Sequence, residues 1–139
     1  MGSVEPEARQ LKAFLDDAGP EGPVVMINLL RYRERAAYPE GFEAEPCSGR
    51  EAYGRYGAVA MEKVAAAGGR VIWFGNVHAS VIAPPGEAWD DALLVEYPSK
   101  QAFFDMVAQP DYQTAAPHRT AALADSRLIA TTTAAGIGS

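Results

Sequence analysis

The chain has 139 residues, a formal net charge of -6 and a single cysteine. This length predicts one domain over residues 1–139, with enough chain to bury one hydrophobic core. The acidic balance argues against nucleic acid or an anionic membrane as a partner, because either needs a segregated basic face. Apolar runs stay well short of about 18 residues, so we expect no membrane-spanning helix. The first residues lack a charged-then-apolar export pattern, which predicts a cytoplasmic protein.

The first two predicted elements are a helix and a buried strand. Apolar residues recur at helical spacing from Ser3 to Ala18 and Gly19-Pro20 ends the pattern, which makes residues 1–20 an extra N-terminal helix. The run from Pro23 to about Arg31 is apolar, β-branched and too short for a helix, which predicts a strand. Residues 33–47 combine proline and glycine breaks with mixed charge, which is typical of a surface loop.

The middle of the chain predicts one helix and two strands. Ser48 and Glu51 form a capping box that begins a second helix, and Gly68-Gly69 ends it. Two strands follow, Arg70 to Ile82 and Asp91 to Tyr97, and a turn-rich connection separates them.

The last part of the chain predicts helices and a final strand. Ser99 caps a helix that Pro110 interrupts, and a further turn or helix runs from Asp111 to Ala124. Leu128 to Thr133 is the last strand. With the leading helix set aside, the order is strand, helix, strand, strand, helix, strand. This order predicts a ferredoxin-like α+β sandwich, in which one antiparallel four-stranded sheet carries helices on one face.

One polar residue interrupts the first strand. Asn28 places an amide within an apolar run, where it must find partners or cost roughly 1–3 kcal/mol. Arg31, Arg33 and Arg35 follow at once, so an amide and a cationic group meet at one strand end. We interpret Asn28 and Arg31 as substrate-binding residues of a pocket for an anion.

A second polar residue lies near the end of the third strand. We expect the first and third strands to be parallel central neighbours, so that their carboxyl ends lie side by side. With the alternate set that begins at Val25 directed toward the helices, Asn28 and Glu96 would both project from the opposite face. The helices that begin at Ser48 and Ser99 would start at the same end and favour an anion there. Glu96 is therefore the first candidate catalytic residue.

The second strand adds two candidates. Its apolar alternate set, which includes Trp73, suits the helix-covered face, and this places Asn76 and His78 with Glu96. Histidine suits general-base chemistry near neutral pH, so His78 is the second catalytic candidate and Asn76 is a substrate-binding candidate. A strand histidine with an ordinary hydrogen bond near the rim is the alternative. His118 lies in a predicted surface segment and is not a candidate.

The second helix contributes one further candidate, a tyrosine. Tyr53 and Tyr56 share one helix face, where core packing and ligand contact both explain them; we keep Tyr56 as a substrate-binding candidate. No metal is expected, because the two histidines and scattered carboxylates lack ligand spacing. The sequence has no glycine-rich phosphate loop, and no cofactor is expected. It also has no Gly-x-Ser-x-Gly elbow, so covalent catalysis by a serine has no support.

The face of the sheet opposite the helices should be apolar. Met26, Leu30 and Leu94 would lie there, and a monomer would expose a patch well beyond a few hundred Å². A second copy packed sheet to sheet would cover this patch, so we predict a two-fold homodimer.

Several of these segments together resemble the domain-of-unknown-function family 1330, over roughly Pro23 to Thr133. The matching segments are Met26-Ile-Asn-Leu-Leu-Arg-Tyr-Arg33, Tyr53-Gly-Arg-Tyr56, Gly68-Gly69, Trp89-Asp90, Glu96-Tyr-Pro-Ser99, Pro110-Asp-Tyr112 and Arg119. The resemblance implies a fold of the dimeric α+β-barrel superfamily, which includes cofactor-free monooxygenases and isomerases. The family has no settled reaction. Glu96 and Arg119 match its recurrent positions, which makes Arg119 a substrate-binding candidate; a structural pairing of the two residues is the alternative.

Three functions stay open on the sequence. The first is a cofactor-independent oxygenase, isomerase or lyase that acts on a small anionic or aromatic molecule in a barrel-side pocket. The second is a non-catalytic homodimer that binds a small hydrophobic acid. The third is a structural homodimer in which Asn28 and Glu96 bond to each other and to the backbone. The fold alone does not choose between them.

Overall fold

The computed structural model describes residues 2–17, 19 and 21–134. In these residues the helices are α1 (Ala8–Asp16), α2 (Gly49–Ala66), α3 (Lys100–Val107) and α4 (Pro110–Ala122). The strands are β1 (Val24–Tyr32), β2 (Arg70–Asn76), β3 (Asp91–Tyr97) and β4 (Leu123–Thr131). The predicted ferredoxin-like α+β fold with an additional N-terminal helix is confirmed. Ala18 and Pro20, at the predicted end of the first helix, lie outside the described residues, as do residues 135–139 of the predicted domain.

The four strands form one sheet in the order β2-β3-β1-β4, and every pairing is antiparallel. The expectation that the first and third strands run parallel is therefore wrong. The crossover through α2 makes β2 parallel to β1, and the connection from β2 to β3 then reverses the direction. Val24 pairs with Tyr97 and Leu30 pairs with Asp91. The carboxyl ends of β1 and β3, with the helix starts that follow them, thus lie at opposite ends of the sheet.

The sheet has a covered face, which packs against the helices, and an open face. Val24, Met26 and Leu30 are buried in the main core beneath the helices, so the alternate set that contains Asn28 belongs to the covered face. The set that begins at Val25 lies on the open face, opposite to the prediction. A one-residue choice of register moves a whole set of side chains to the other face.

The open face carries a row of large apolar side chains across all four strands. Trp73 pairs with Leu94, Leu94 with Ile27, and Ile27 with Ile129. Trp73 and Ile129, at the two ends of the row, are about half exposed. The apolar open face is therefore present as predicted, although it is built from the other alternate set of β1.

Helix α2 begins where the sequence predicts, and its first residue is held tightly. The Ser48 hydroxyl accepts a hydrogen bond from Glu51 N at 3.0 Å, and the Glu51 carboxylate accepts one from Ser48 N at 2.9 Å. A Cβ atom at Gly49 would stand 2.1 Å from the Arg33 carbonyl oxygen. A side chain cannot fit there, so glycine lets the end of β1 and the start of α2 approach closely.

Two connections shape the surface of the fold. Residues 33–47 are irregular, as predicted, but Arg33 N and Ala37 N donate to Ala122 O and Ala121 O at 2.8 and 2.9 Å, which ties this loop to the end of α4. β2 ends at Asn76 and not at Ile82, so residues 77–90 form a long connection to β3. None of the described helices has the length and apolar character needed to cross a bilayer.

Candidate functional site

The covered face has a gap beside the centre of the sheet. Asn28 is partly exposed although it lies on a central strand, whereas Met26 and Leu30, on either side of it, are buried. Its partner in β4, Leu128, lies on the same face and is 45% exposed. The helices therefore leave the sheet uncovered on the β4 side of Asn28, and we call this space the Asn28 gap. Within the described residues, the Asn28 amide makes one hydrogen bond, to Met26 O at 3.2 Å.

Arg119, from α4, contacts β4, the strand that borders the Asn28 gap. Its guanidinium donates to the Val4 carbonyl at 2.6 Å and reaches the Ser126 hydroxyl at 3.5 Å. Ser126 is the next residue toward α4 on the covered face of β4 after Leu128. Among the described residues no carboxylate forms an ion pair with Arg119. A partly buried guanidinium with neutral partners favours an anion nearby.

Tyrosines line the space between the covered face and the helices. Tyr32, Tyr53, Tyr97 and Tyr112 are part of the main core beneath the helices or pack against it, and Tyr56 lies in a second cluster with Tyr112 and Ala115 of α4. The Tyr56 and Tyr112 hydroxyls lie 2.7 Å apart, and the rings of Tyr53 and Tyr56 have centroids 5.3 Å apart. Such a layer offers aromatic surface with hydroxyl donors at its edge.

The tyrosine hydroxyls keep their protons. Burial raises the pKa of Tyr53 to about 12, although a hydrogen bond and the charge of Arg119 act in the opposite direction. Burial and the neighbouring Tyr112 raise the pKa of Tyr56 well above its usual value. At neutral pH both side chains can therefore donate a hydrogen bond but cannot accept a proton from a ligand.

The carboxylate of Asp91 forms a second polar centre at the end of the covered face. It accepts hydrogen bonds from Tyr32 at 2.7 Å, from Arg50 at 2.8 Å and from Asn76 at 2.9 Å. The Arg50 guanidinium also stacks on the Tyr32 ring, with its carbon 4.6 Å from the ring centroid. Burial alone would raise the pKa of Asp91, but these three donors lower it below its usual value. Asp91 is therefore ionised and fully partnered.

The structure separates the other predicted site residues from the Asn28 gap. Glu96 lies on the open face opposite Val25 and pairs with Arg70 at 3.1 Å, so it does not meet Asn28 as expected. Arg31 lies opposite Asp125 in the register of β1 and β4, on the open face. His78 is exposed in the connection after β2. Antiparallel pairing places Glu96 opposite Val25 and not beside Asn28, and strand alternation puts Arg31 on the face opposite to Asn28. His78 is separated because β2 ends at Asn76.

Asn76, Tyr56 and Arg119 lie on the covered side, as Asn28 does, but Asn76 is committed to Asp91. Asp91 itself escaped prediction, although an aspartate that opens an apolar strand is the same kind of signal as Asn28.

A further cluster lies between the 33–47 loop and α4. Tyr38 contacts His118 Nδ1 at 2.6 Å and accepts from Arg55 at 3.1 Å, and its ring stacks on Phe42. Burial and the nearby Arg55 lower the pKa of His118. His118 is thus half-buried against an aromatic pair, whereas the sequence suggested a surface position. Among the described residues no group of three or more His, Cys, Asp or Glu side chains is placed to hold a metal ion.

These features define an α+β protein of ferredoxin-like fold with a tyrosine-lined interior and an apolar open sheet. The chain belongs to the family described as "Domain of unknown function (DUF1330)", whose model matches residues 47–132. No curated protein sequence matches the chain significantly.

The chain is similar to solved structures of proteins of unknown function. The RPA0582 protein of Rhodopseudomonas palustris is 38% identical, with a TM-score of 0.89 over 98% of this chain and 100% of that one. A methylated form of RPA0582 gives the same identity and TM-score over 99% and 98% of the two chains. A dimeric protein with a ferredoxin-like fold from Bacteroides fragilis is 18% identical, with a TM-score of 0.50 over 80% and 96%. This last likeness supports the fold alone.

The Asp91 centre predicts a pH-dependent contribution to stability. Asp91→Asn should lower the free energy of unfolding by about 1–3 kcal/mol at pH 7, because the three donors lose an ionised acceptor. The folded-state pKa of Asp91 is lowered, so this difference should be present above the unfolded pKa, near 3.9, and shrink as pH falls below it. Urea unfolding of both proteins between pH 7 and pH 3 measures it.

The matched control is Asp111→Asn, because Asp111 is mostly exposed and pairs with Lys63 at the surface. This change should cost less than about 1 kcal/mol at either pH. Equal losses for the two variants, or a loss at Asp91 that grows toward acid pH, would contradict an ionised Asp91 in the folded state.

Proposed function

We propose that the protein is a homodimer that binds a small aromatic or apolar carboxylate in the Asn28 gap. The observation that carries this proposal is the partial exposure of Asn28 at a position where the residues before and after it on the same face are buried. A sheet centre beneath helices normally packs to high density, so an opening there is a candidate binding site.

The chemistry around the gap favours a carboxylate. Arg119, which reaches Ser126 on the bordering strand, would supply a fixed cation, and Asn28 would supply an amide. Tyr53, which is hydrogen-bonded with Arg119, would supply a hydroxyl that stays protonated. A carboxylate would replace the neutral Val4 carbonyl as a partner of the guanidinium and form stronger, charge-assisted hydrogen bonds. The aromatic rings and Leu128 would contact the apolar part of the ligand.

Binding without turnover is the function that the geometry supports best. A cofactor-independent enzyme acting on the same ligand would need a proton acceptor beside it. Glu96 and His78 lie elsewhere, and Asp91 is occupied by three donors. The tyrosines are proton donors at neutral pH. Catalysis by Glu96 or His78, and the cytoplasmic location, stay predictions from the sequence.

The open face supports the homodimer. The row from Trp73 through Leu94 and Ile27 to Ile129 crosses the whole sheet, and it leaves a continuous apolar surface without helices. A second copy related by a two-fold axis offers the same row in return, so the contact is self-complementary.

The first prediction of this proposal concerns Arg119. Benzoate should bind the wild-type protein at least tenfold more tightly than neutral benzamide, and Arg119→Met should remove this preference, because the carboxylate loses its cation. Isothermal titration at a temperature where both proteins are folded measures the two affinities. Arg70→Met is the control, since Arg70 is a surface cation on the other face that pairs with Glu96. Wild-type protein that binds neither compound, or an Arg70 variant that behaves like the Arg119 variant, would contradict the proposal.

The second prediction separates ligand binding from structure at Asn28. Asn28→Leu should change the free energy of unfolding by less than about 1 kcal/mol, because within the described residues the amide makes a single, local bond, to Met26 O. Benzoate affinity should fall at least tenfold, since the apolar side chain fills the gap and removes a polar partner. Chemical unfolding and titration calorimetry give the two numbers. A large loss of stability with unchanged affinity would mean that Asn28 is a structural amide.

The third prediction concerns assembly. Sedimentation equilibrium at micromolar concentration should give about twice the chain mass of 14.8 kDa. Ile27→Glu should yield a monomer, because it places a charge in the middle of the apolar row. Met61→Glu, at an exposed position on α2, should remain dimeric. A monomeric wild-type protein would refute the homodimer.

A further inference from the structure

The connection between β2 and β3 is an ordered arm, residues 77–90. Val77 N donates to Asp90 O at 2.8 Å and closes the base of the arm, and the Ser80 hydroxyl donates to Glu87 O at 2.8 Å and joins its two sides. The turn near the end has Glu87 N bonded to Pro84 O. The arm is therefore held by its own hydrogen bonds as an extension of the β2–β3 hairpin.

The tip of the arm is apolar and almost fully exposed. Val81 and Ile82 are 90% and 96% exposed, more than the other large exposed hydrophobic residues of the described chain. Residues 79–86, Ala-Ser-Val-Ile-Ala-Pro-Pro-Gly, carry no charge. Two adjacent aliphatic side chains at an ordered tip form an apolar knob that water solvates poorly.

The arm is continuous with the open face of the sheet. A groove of about 430 Å³ lies between them and is lined by Leu29 of β1 and by Val77, Val81, Ile82 and Trp89 of the arm. Leu29 belongs to the open face. Anything that covers the open face therefore meets the arm as well.

We propose that the tip of the arm, Val81 and Ile82, packs against the second copy of the chain and clasps the dimer. This inference rests on the proposed homodimer. Four strands spaced about 4.8 Å apart and seven paired residues long give the open face a projected area of roughly 440 Å². A stable interface buries about 800 Å² of accessible surface per partner. The two reciprocal arms carry exposed apolar side chains beside the open face and bring the contact toward that size.

The chemistry of the arm favours a protein surface over the alternatives. The uncharged tip gives no attraction to phosphate groups, and the chain as a whole carries a net charge of -6, so anionic lipid and nucleic acid are poor partners. The apolar open face of another copy is a surface of matching character. In a two-fold dimer each arm contacts the partner, so one sequence change alters two contacts.

The test measures dimer dissociation. The double variant Val81→Ser, Ile82→Ser should have a dimer Kd at least tenfold higher than that of the wild-type protein. Sedimentation over a dilution series measures both Kd values. Met61→Ser, an exposed apolar residue on α2, is the matched control and should leave the Kd unchanged. Circular dichroism checks that the variants are folded. We expect them to fold because Val81 and Ile82 are exposed.

A second measurement reads the tip directly. An environment-sensitive fluorophore on Ile82→Cys, in a Cys47→Ser background, should shift its emission to longer wavelength as the dimer is diluted into monomers. If the double serine variant has the same dimer Kd as the wild-type protein, the arm contact is overturned and the sheet-to-sheet dimer stands. The same holds if the emission of the label does not change on dilution. A monomeric wild-type protein would overturn both the homodimer and the arm contact. A tip that stays exposed in the dimer would overturn the arm contact and indicate a different kind of partner for the tip.

Discussion

The buried carboxylate of Asp91 fixes the geometry on which the covered side of this fold depends. Its three donors come from three elements, Tyr32 at the end of β1, Arg50 in the first turn of α2 and Asn76 at the end of β2. A carboxylate in an apolar layer requires such partners, because an unpaired charge there costs several kcal/mol. The bond from Arg50 ties the first turn of α2 to the start of β3. Tyr53 and Tyr56 lie on α2, so the bond between Arg50 and Asp91 also helps to fix their positions over the sheet.

Local signals in the sequence predicted which elements occur and their order, although β2 ends at Asn76 and not at Ile82, and β4 begins at Leu123 and not at Leu128. The capping box at Ser48 and Glu51 forms as expected, and the order of strands and helices gave the ferredoxin-like fold. The side-by-side placement of Asn28 and Glu96 failed for a reason that the topology already contained. A strand after a crossover helix keeps its direction and a hairpin reverses it, so the third strand had to oppose the first. The amide of Asn28 stays a predicted site residue, and the structure shows it partly exposed between the buried Met26 and Leu30.

Contacts between distant parts of the chain could not be predicted in the same way. Arg119 bonds to the Val4 carbonyl, and His118 bonds to Tyr38 in a loop that looked like plain surface. No spacing in the sequence records such pairs, since they arise only when α4 packs against the N-terminal residues and the 33–47 loop. Asp91 differs, because an aspartate at the head of an apolar strand is as conspicuous as Asn28. For Asp91, as for Asn28, the sequence alone raises the question of which groups satisfy a polar side chain in an apolar strand.

The alternation of β1 connects the two proposed activities of the sheet. Asn28 faces the gap beneath the helices, whereas its neighbours Ile27 and Leu29 face the surface where the second copy would pack. A slip of one residue would exchange the two sets, so both activities depend on one register. Two hydrogen bonds from Asp90 secure the end of the strand: its backbone N donates to Leu30 O and its carboxylate accepts from Tyr32 N, each at 2.8 Å. Since Asp90 closes the base of the arm and precedes Asp91, one short segment fixes the strand register, the arm and the buried carboxylate together.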